Sequence, residues 1–167
     1  MGENTQNKKI AIIIMASGYS ERFGSNKLLE SFLDKPLFTY TVDLVASCQA
    51  EMKIIATRYE PVIQYVKENV PSMSIVWNTH PERGISESIH LGIRYLKQQK
   101  DYEEYAGCCF MVCDQPLLQK ESMQELFKSF YTNPLCNPYL ITLFQIHTLY
   151  VPVQDAAWQP AFLPCLP

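Results

Sequence analysis

Residues 9 to 132 alternate two hydrophobic periods, and no other feature of the chain limits its fold so strongly. "KIAIIIMA" (9–16) is an unbroken, β-branched apolar run, the pattern of a strand buried on both faces. Leu37, Tyr40, Thr41, Leu44, Val45 and Cys48 then recur at helical spacing and form one stripe. "MKIIATR" (52–58) reads as a second strand, and residues 60 to 69 as a helix with Val62, Val66 and Val70 in register. "MSIVWN" (73–78) is a third strand, and Ile85, Ile89, Gly92, Ile93 and Leu96 trace a third helix. "AGCCFMVCD" (106–114) is a fourth buried strand, and Met123, Leu126, Phe127 and Phe130 mark a fourth helix. Strict alternation of strand and helix requires crossover connections. The expected fold is therefore α/β, a mainly parallel sheet covered on both sides.

The pattern stops near Lys128. Residues 129 to 167 carry one charged side chain, Asp155, and six of the eleven prolines, and no glycine follows Gly107. Plentiful Leu, Tyr and Phe separate this segment from ordinary polar disorder. "YLITLFQIHTLYVPV" is shorter than the roughly 20 apolar residues of a membrane-spanning helix, and Gln145, His147 and Pro152 interrupt it. The chain thus divides into an α/β domain over 1–132 and an atypical segment over 133–167. At 167 residues it is long enough to bury a full core. A net charge of −3 gives no global field to recruit nucleic acid or an anionic membrane. The polar start "MGENTQNKK" lacks the apolar centre of a signal peptide, and Gln6 stands where a myristoylation signal wants Ser or Thr. Of six cysteines, Cys108, Cys109 and Cys113 lie in an apolar run and no C-x-x-C pair occurs. A cytoplasmic protein with reduced thiols is expected.

In an open parallel sheet, ligands bind beyond the carboxyl ends of the strands. The loop from Ala16 to Lys27 leaves the first strand at that edge. Gly18 and Gly24 allow positive φ and close backbone approach, and successive N–H groups in such turns form an anion-binding concavity. Arg22 adds a planar fork for phosphate oxygens and Lys27 a point charge. The combination suits a polyphosphate, although an exposed turn with incidental charges has the same composition. The P-loop is excluded by spacing, since G-x-x-x-x-G-K-S/T needs four residues between its glycines and five separate Gly18 from Gly24. The dinucleotide fingerprint G-x-G-x-x-G lacks its second glycine.

"IIIMASGYSERFGSNKLL" resembles the signature L-A-A-G-x-S-x-R-M-G-x-x-K-L of the MobA-like nucleotidyltransferases, most closely the molybdenum cofactor cytidylyltransferase branch and its relatives serving purine and xanthine hydroxylases. Ser17 replaces the second alanine and Phe23 the methionine; Gly18, Ser20, Arg22, Gly24, Lys27 and Leu28 stand in place. The family pattern N-x-x-x-x-x-G-M/I-x-x-S-L/I-x-x-G is similar to "NTHPERGISESIHLG", with Asn78, Gly84, Ser86, Ser88 and Gly92. Ser86 is also placed to cap the third helix, and Asn78 also suits a turn. In "MVCDQPLL", Asp114 ends a buried strand ahead of Pro116 and matches the family's D-x-P, with Gln115 as in the cytidylyl branch.

The resemblance covers about residues 9 to 132. It implies a three-layer α/β/α Rossmann-like fold of the nucleotide-diphospho-sugar transferase type. It further implies transfer of CMP, or another NMP, from a nucleoside triphosphate to the phosphate of a molybdopterin-type acceptor, with release of pyrophosphate. Lys27, Arg22 and Asp114 would be catalytic, and Asp114 would hold Mg²⁺, or Mn²⁺ in its place. Ala16, Ser17, Gly18, Ser20, Arg22, Gly24, Lys27, Asn78, Gly84, Ser86 and Ser88 would bind the nucleotide. A molybdenum hydroxylase is the implied recipient of the product, with no nucleic acid or membrane partner.

The segment past the fourth helix departs from the family. Asn137 and Pro138 are kept, but Cys136 replaces a glycine, and no G-D-x-G segment follows; Asp155 lacks both flanking glycines. A truncated or frame-shifted end is the expectation, which would remove part of the acceptor pocket. The rivals are a sugar-phosphate or isoprenoid-precursor nucleotidyltransferase, a non-catalytic accessory protein that binds nucleotide or cofactor for a hydroxylase, and a degenerate, inactive product.

Overall fold

The computed structural model describes residues 9–19, 26–132 and 149–152. Their elements run β1 (Lys9–Ala16), β2 (Ser31–Phe32), β3 (Lys35–Pro36), α1 (Leu37–Ser47), β4 (Met52–Thr57), α2 (Glu60–Asn69), β5 (Ser74–Trp77), α3 (Ile85–Lys97), β6 (Tyr105–Val112), α4 (Lys120–Thr132) and β7 (Leu149–Pro152). Five strands form one sheet in the order β5-β4-β1-β6-β7, parallel throughout except that β7 runs antiparallel to β6. The α/β fold with a mainly parallel sheet is therefore as the alternating pattern requires.

β1 sits in the middle, with Ile13 opposite Ile54 of β4 on one side and Phe110 of β6 on the other. Ile10 to Ile14 are at most 1% exposed, so neither face of the strand tolerates a polar residue. Each buried isoleucine contributes about 2 kcal/mol through the apolar area it removes from water. Ile10, Ile12 and Ile14 pack beneath α1, α2 and α4, against Phe38, Val42, Val66 and Met123. Ala11 and Ile13 pack beneath α3, against Ile89 and Leu96. The helices divide this way because the chain walks from β1 to β4 to β5 in one direction, then jumps back across the sheet to β6. A crossover of fixed hand that travels the other way lays its helix on the other face.

Two helices turn a different arc inward than the spacing suggests. In α1 the buried arc is Leu37, Phe38, Thr41, Val42 and Val45, while Tyr40 and Leu44 are half-buried. The ring of Tyr40 packs edge-on against Phe32, and its hydroxyl donates to the Phe32 carbonyl, which draws it off the sheet toward the β2–β3 hairpin. In α3, Ser88, Ile89, Gly92 and Leu96 are buried and Ile85 is exposed. Gly92 lies so close to β1 that an added Cβ would stand 2.5 Å from Cγ2 of Ile13.

The hairpin turns at Leu33, a 77% exposed residue at φ 55°. Left-handed backbone costs a branched residue about 1 kcal/mol, whereas asparagine tolerates it. Leu33→Asn is expected to stabilise the protein by about 0.5–1 kcal/mol, read as a rise in thermal midpoint. Behind the hairpin, Lys35 donates to Asp43 at 2.6 Å and the Tyr65 hydroxyl donates to the same carboxylate at 2.7 Å, which ties α1 to α2. Burial, and then that hydrogen bond, push the Tyr65 hydroxyl up to about 12.

Cys48, Cys108, Cys109 and Cys113 are buried free thiols, and burial pushes Cys108 up to about 12. No helix among the described residues is long and apolar enough to cross a membrane. Of the segment 133–167, β7 joins the sheet beside β6, with Tyr150 opposite Cys109. Cys136, Asn137, Pro138 and Asp155 lie outside the described residues.

Candidate active site

The sheet reverses its winding between β1 and β6, and such a switch point opens a crevice at the carboxyl ends of the strands. A cleft of about 580 Å³ occupies that place. It is bordered by Met15 to Tyr19, Lys27 and Leu28, by Pro81, Glu82, Gly84, Ile85 and Ser88, and by Val112 to Asp114, Ala16 excepted.

The loop leaving β1 is anchored before it enters the cleft. The Thr57 hydroxyl donates to the Ala16 carbonyl at 2.9 Å, and the Ser17 hydroxyl donates to the Ala56 carbonyl at 3.0 Å. These reciprocal bonds stitch the ends of β1 and β4 together and leave Ser17 only 4% exposed. Gly18 follows, with no atom of the described residues within 4 Å of where a Cβ would be. Ser20, Arg22 and Gly24 lie outside the described residues. The chain re-enters at Asn26, whose side-chain oxygen accepts from the Leu28 N–H and caps a single turn of 3-10 helix over Lys27–Leu29. That turn buries Leu28 in the core and leaves Lys27 half-exposed beside the cleft.

On the opposite wall β6 delivers Cys113 into the core and Asp114 to the cleft. Lys27 Nζ and Asp114 Oδ2 meet at 3.0 Å across 87 residues of sequence. The two charged residues singled out from separate parts of the chain thus share one place, poised on opposite lips of the switch point.

The third wall is the corner between β5 and α3. Gly84 begins α3 at φ 75°, ψ −163°, a region essentially closed to side-chain-bearing residues. Asn78 is 1% exposed. Its N–H donates to the Thr57 carbonyl, its side-chain oxygen accepts from the His80 N–H, and its side-chain nitrogen donates to Ser88 Oγ. Asn78 therefore braces the corner, in a turn, and Ser88 borders the cleft from within the helix. Ser86 does not cap α3: the helix starts two residues earlier than a Ser86 cap requires, with Gly84 at the cap position, and the Ser86 hydroxyl donates back to the Arg83 carbonyl at 2.9 Å.

Two cleft residues escape the sequence patterns. Glu82 has its carboxyl held below the usual range by its own backbone N–H and by His80, 3.0 Å away. Tyr19 borders the cleft with the Arg58 guanidinium 4.4 Å from its ring centre. The signal for Arg58 is its place directly after a buried strand, at the edge where ligands bind.

Among the described residues no three of His, Cys, Asp and Glu converge to cage a metal. One carboxylate, Asp114, is nonetheless a fitting donor for a hard divalent ion that arrives on phosphate oxygens, because Mg²⁺ keeps several waters and takes only one or two carboxylates from a protein.

Solved structures share this architecture. CMP:2-keto-3-deoxy-manno-octonic acid synthetase, solved with CTP, superposes with a TM-score of 0.59 at 15% identity over 76% of this chain and 49% of its own. Rv0371c from Mycobacterium tuberculosis H37Rv gives 0.56 at 15% identity over 76% and 62%. 4-diphosphocytidyl-2C-methyl-D-erythritol synthase from Anaerococcus prevotii DSM 20548 gives 0.57 at 15% identity over 80% and 55%. The chain thus spans between 49% and 62% of the length of these three neighbours. No curated protein sequence matches it. A family match runs over residues 12–163, and by it the chain belongs to the MobA-like NTP transferase domain family.

Proposed function

We propose that this protein is a nucleotidyltransferase that moves CMP, or another NMP, from a nucleoside triphosphate to the phosphate of a molybdopterin-type acceptor. The observation that carries the reading is the meeting of Lys27 and Asp114 at 3.0 Å on the switch-point cleft. Family membership supports the reaction class. The synthetase solved with CTP and the manganese complex of Rv0371c support a nucleotide and a divalent ion as ligands. The acceptor is taken from the resemblance of "MVCDQPLL" to the cytidylyl branch.

In this reaction an oxygen of the acceptor phosphate attacks the α-phosphorus, the bond to the bridging oxygen breaks, and pyrophosphate leaves with that oxygen's electron pair. Such transfers ask the protein for positioning and charge stabilisation rather than covalent chemistry. The Gly18 backbone and Arg22 would hold the β- and γ-phosphates. Lys27 would turn from Asp114 toward the α-phosphate and offset its growing charge. Mg²⁺ or Mn²⁺, held by Asp114 and phosphate oxygens, would supply further charge neutralisation. Gly84 and Ser88 would border the nucleoside, with Ala16, Ser17 and Asn78 fixing the walls that carry it. A cytoplasmic setting fits the buried free thiols.

Thermal denaturation with CTP, GTP, ATP and UTP, each with Mg²⁺ or Mn²⁺, tests the binding half. One nucleotide at a hundred times its Kd should stabilise by about 2.7 kcal/mol, a rise of roughly 5–10 °C. Pyrophosphate release with that nucleotide and molybdopterin tests the chemistry. Absence of any shift overturns the nucleotide site, and saturable binding without pyrophosphate leaves an accessory binding protein.

A further inference from the structure

Asn78 is committed to the β5–α3 corner, so ring recognition in the cleft falls to other residues. Among the described residues, two large apolar side chains both border the cleft and stand exposed: Tyr19, 43% exposed, and Ile85, 47% exposed. Tyr19 is held in place. The Arg58 guanidinium lies 4.4 Å from its ring centre and 5.4 Å from that of Tyr59, whose hydroxyl donates to the Gly18 carbonyl. The Thr57 hydroxyl also accepts from the Tyr59 N–H, so the segment carrying Arg58 is tied to the end of β1. A tyrosine backed by a cation, in a segment with its backbone already fixed, is an aromatic surface that loses little freedom when a planar partner covers it.

Strand order says which end of a ligand reaches it. Arg58 follows β4 and Asp114 follows β6, with β1 between them. Two inter-strand steps separate these positions by roughly 10 Å. A nucleotide with its α-phosphate beside Lys27 and Asp114 has its base that far along the cleft, and the β4 side is where the aromatic wall stands. We infer that Tyr19, clamped by Arg58, is the stacking platform for the base of the nucleoside triphosphate and a specificity-determining residue of this cleft. The inference rests on the nucleotide reading above and adds the residue that receives the ring.

Calorimetry in Mg²⁺ with two probes, CTP and inorganic tripolyphosphate, separates ring from phosphate recognition. Tyr19→Ala is expected to weaken CTP binding by about ten-fold or more, the usual scale for loss of an aromatic–base stack, and to leave tripolyphosphate within about two-fold. Tyr19→Phe keeps the ring and should bind CTP like the wild type, while Arg58→Met frees the ring and should weaken CTP alone. Equal weakening of both probes, or CTP affinity unchanged in Tyr19→Ala, overturns the platform. A Tyr19→Ala protein with unchanged CTP affinity but a raised KM for the molybdopterin acceptor assigns the wall to the acceptor's ring and overturns it equally. If the wild type binds neither probe, the nucleotide reading itself has failed. If the wild type binds both probes equally tightly, only the platform has failed.

Discussion

Lys27→Ala and Asp114→Ala are each expected to lower the rate of pyrophosphate release by on the order of 10²-fold or more, with the fold unchanged. The size follows from what such a contact does in a transition state whose charge sits on phosphoryl oxygens. The intact fold follows from exposure. The Lys27 and Asp114 side chains are 36% and 38% exposed, and an ion pair so open to water contributes at most about 1 kcal/mol to stability. A loss of turnover far beyond that scale, with an unchanged thermal midpoint, can only come from the chemistry. Lys27→Arg separates the charge from its placement: guanidinium keeps the charge but not the compact point donor, so partial recovery is expected. Near-wild-type turnover in either alanine variant would remove the catalytic pair.

Gly92→Val is expected to be the most destabilising of the substitutions considered. A Cβ at this position would stand 2.5, 2.9 and 3.1 Å from three side-chain carbons of Ile13, and Ile13 is fully buried on the central strand. With both branches of Ile13 at its Cβ involved, no rotation of a flexible tip relieves the overlap, and α3 must lift from β1. Overpacking of this kind costs about 3 kcal/mol, or roughly 6–12 °C in thermal midpoint for a chain of this size. Gly92→Ala should cost less, because alanine regains about 1 kcal/mol of helix propensity over glycine. Combining Gly92→Ala with Ile13→Ala, which removes all three facing carbons, should be less destabilising than the sum of the two single changes. Strict additivity in that double mutant would show that Gly92 and Ile13 are not in contact.

The central strands were legible in the sequence because burial on both faces leaves no room for polar residues: "KIAIIIMA" has one reading. Helix faces were less so. In α1 the spacing admits Tyr40 and Leu44, but Tyr40 finds Phe32 and its carbonyl on a hairpin that no periodicity reveals. Gly84 illustrates a similar limit. A glycine two residues ahead of a serine reads as a loop and a cap, whereas the backbone at φ 75° puts the glycine itself at the cap position of α3. The Lys27–Asp114 meeting was foreseeable because the loop that leaves β1 and the end of β6 open on the same edge of the sheet, where parallel strands bring such ends together. Tyr19 was not, because its meaning depends on Arg58, and only the lateral pairing of β1 with β4 brings those residues together.

The placement of β1 also bears on how the chain is made. Its neighbour β6 pairs with it from about a hundred residues further along, as Ile13 with Phe110. During synthesis β1 therefore waits, its isoleucines unshielded on one edge, until β6 has left the ribosome. Contacts that bridge such long stretches form slowly, and exposed edges in the interval invite aggregation. Chaperone demand in the cell should accordingly peak between the appearance of β4 and that of β6.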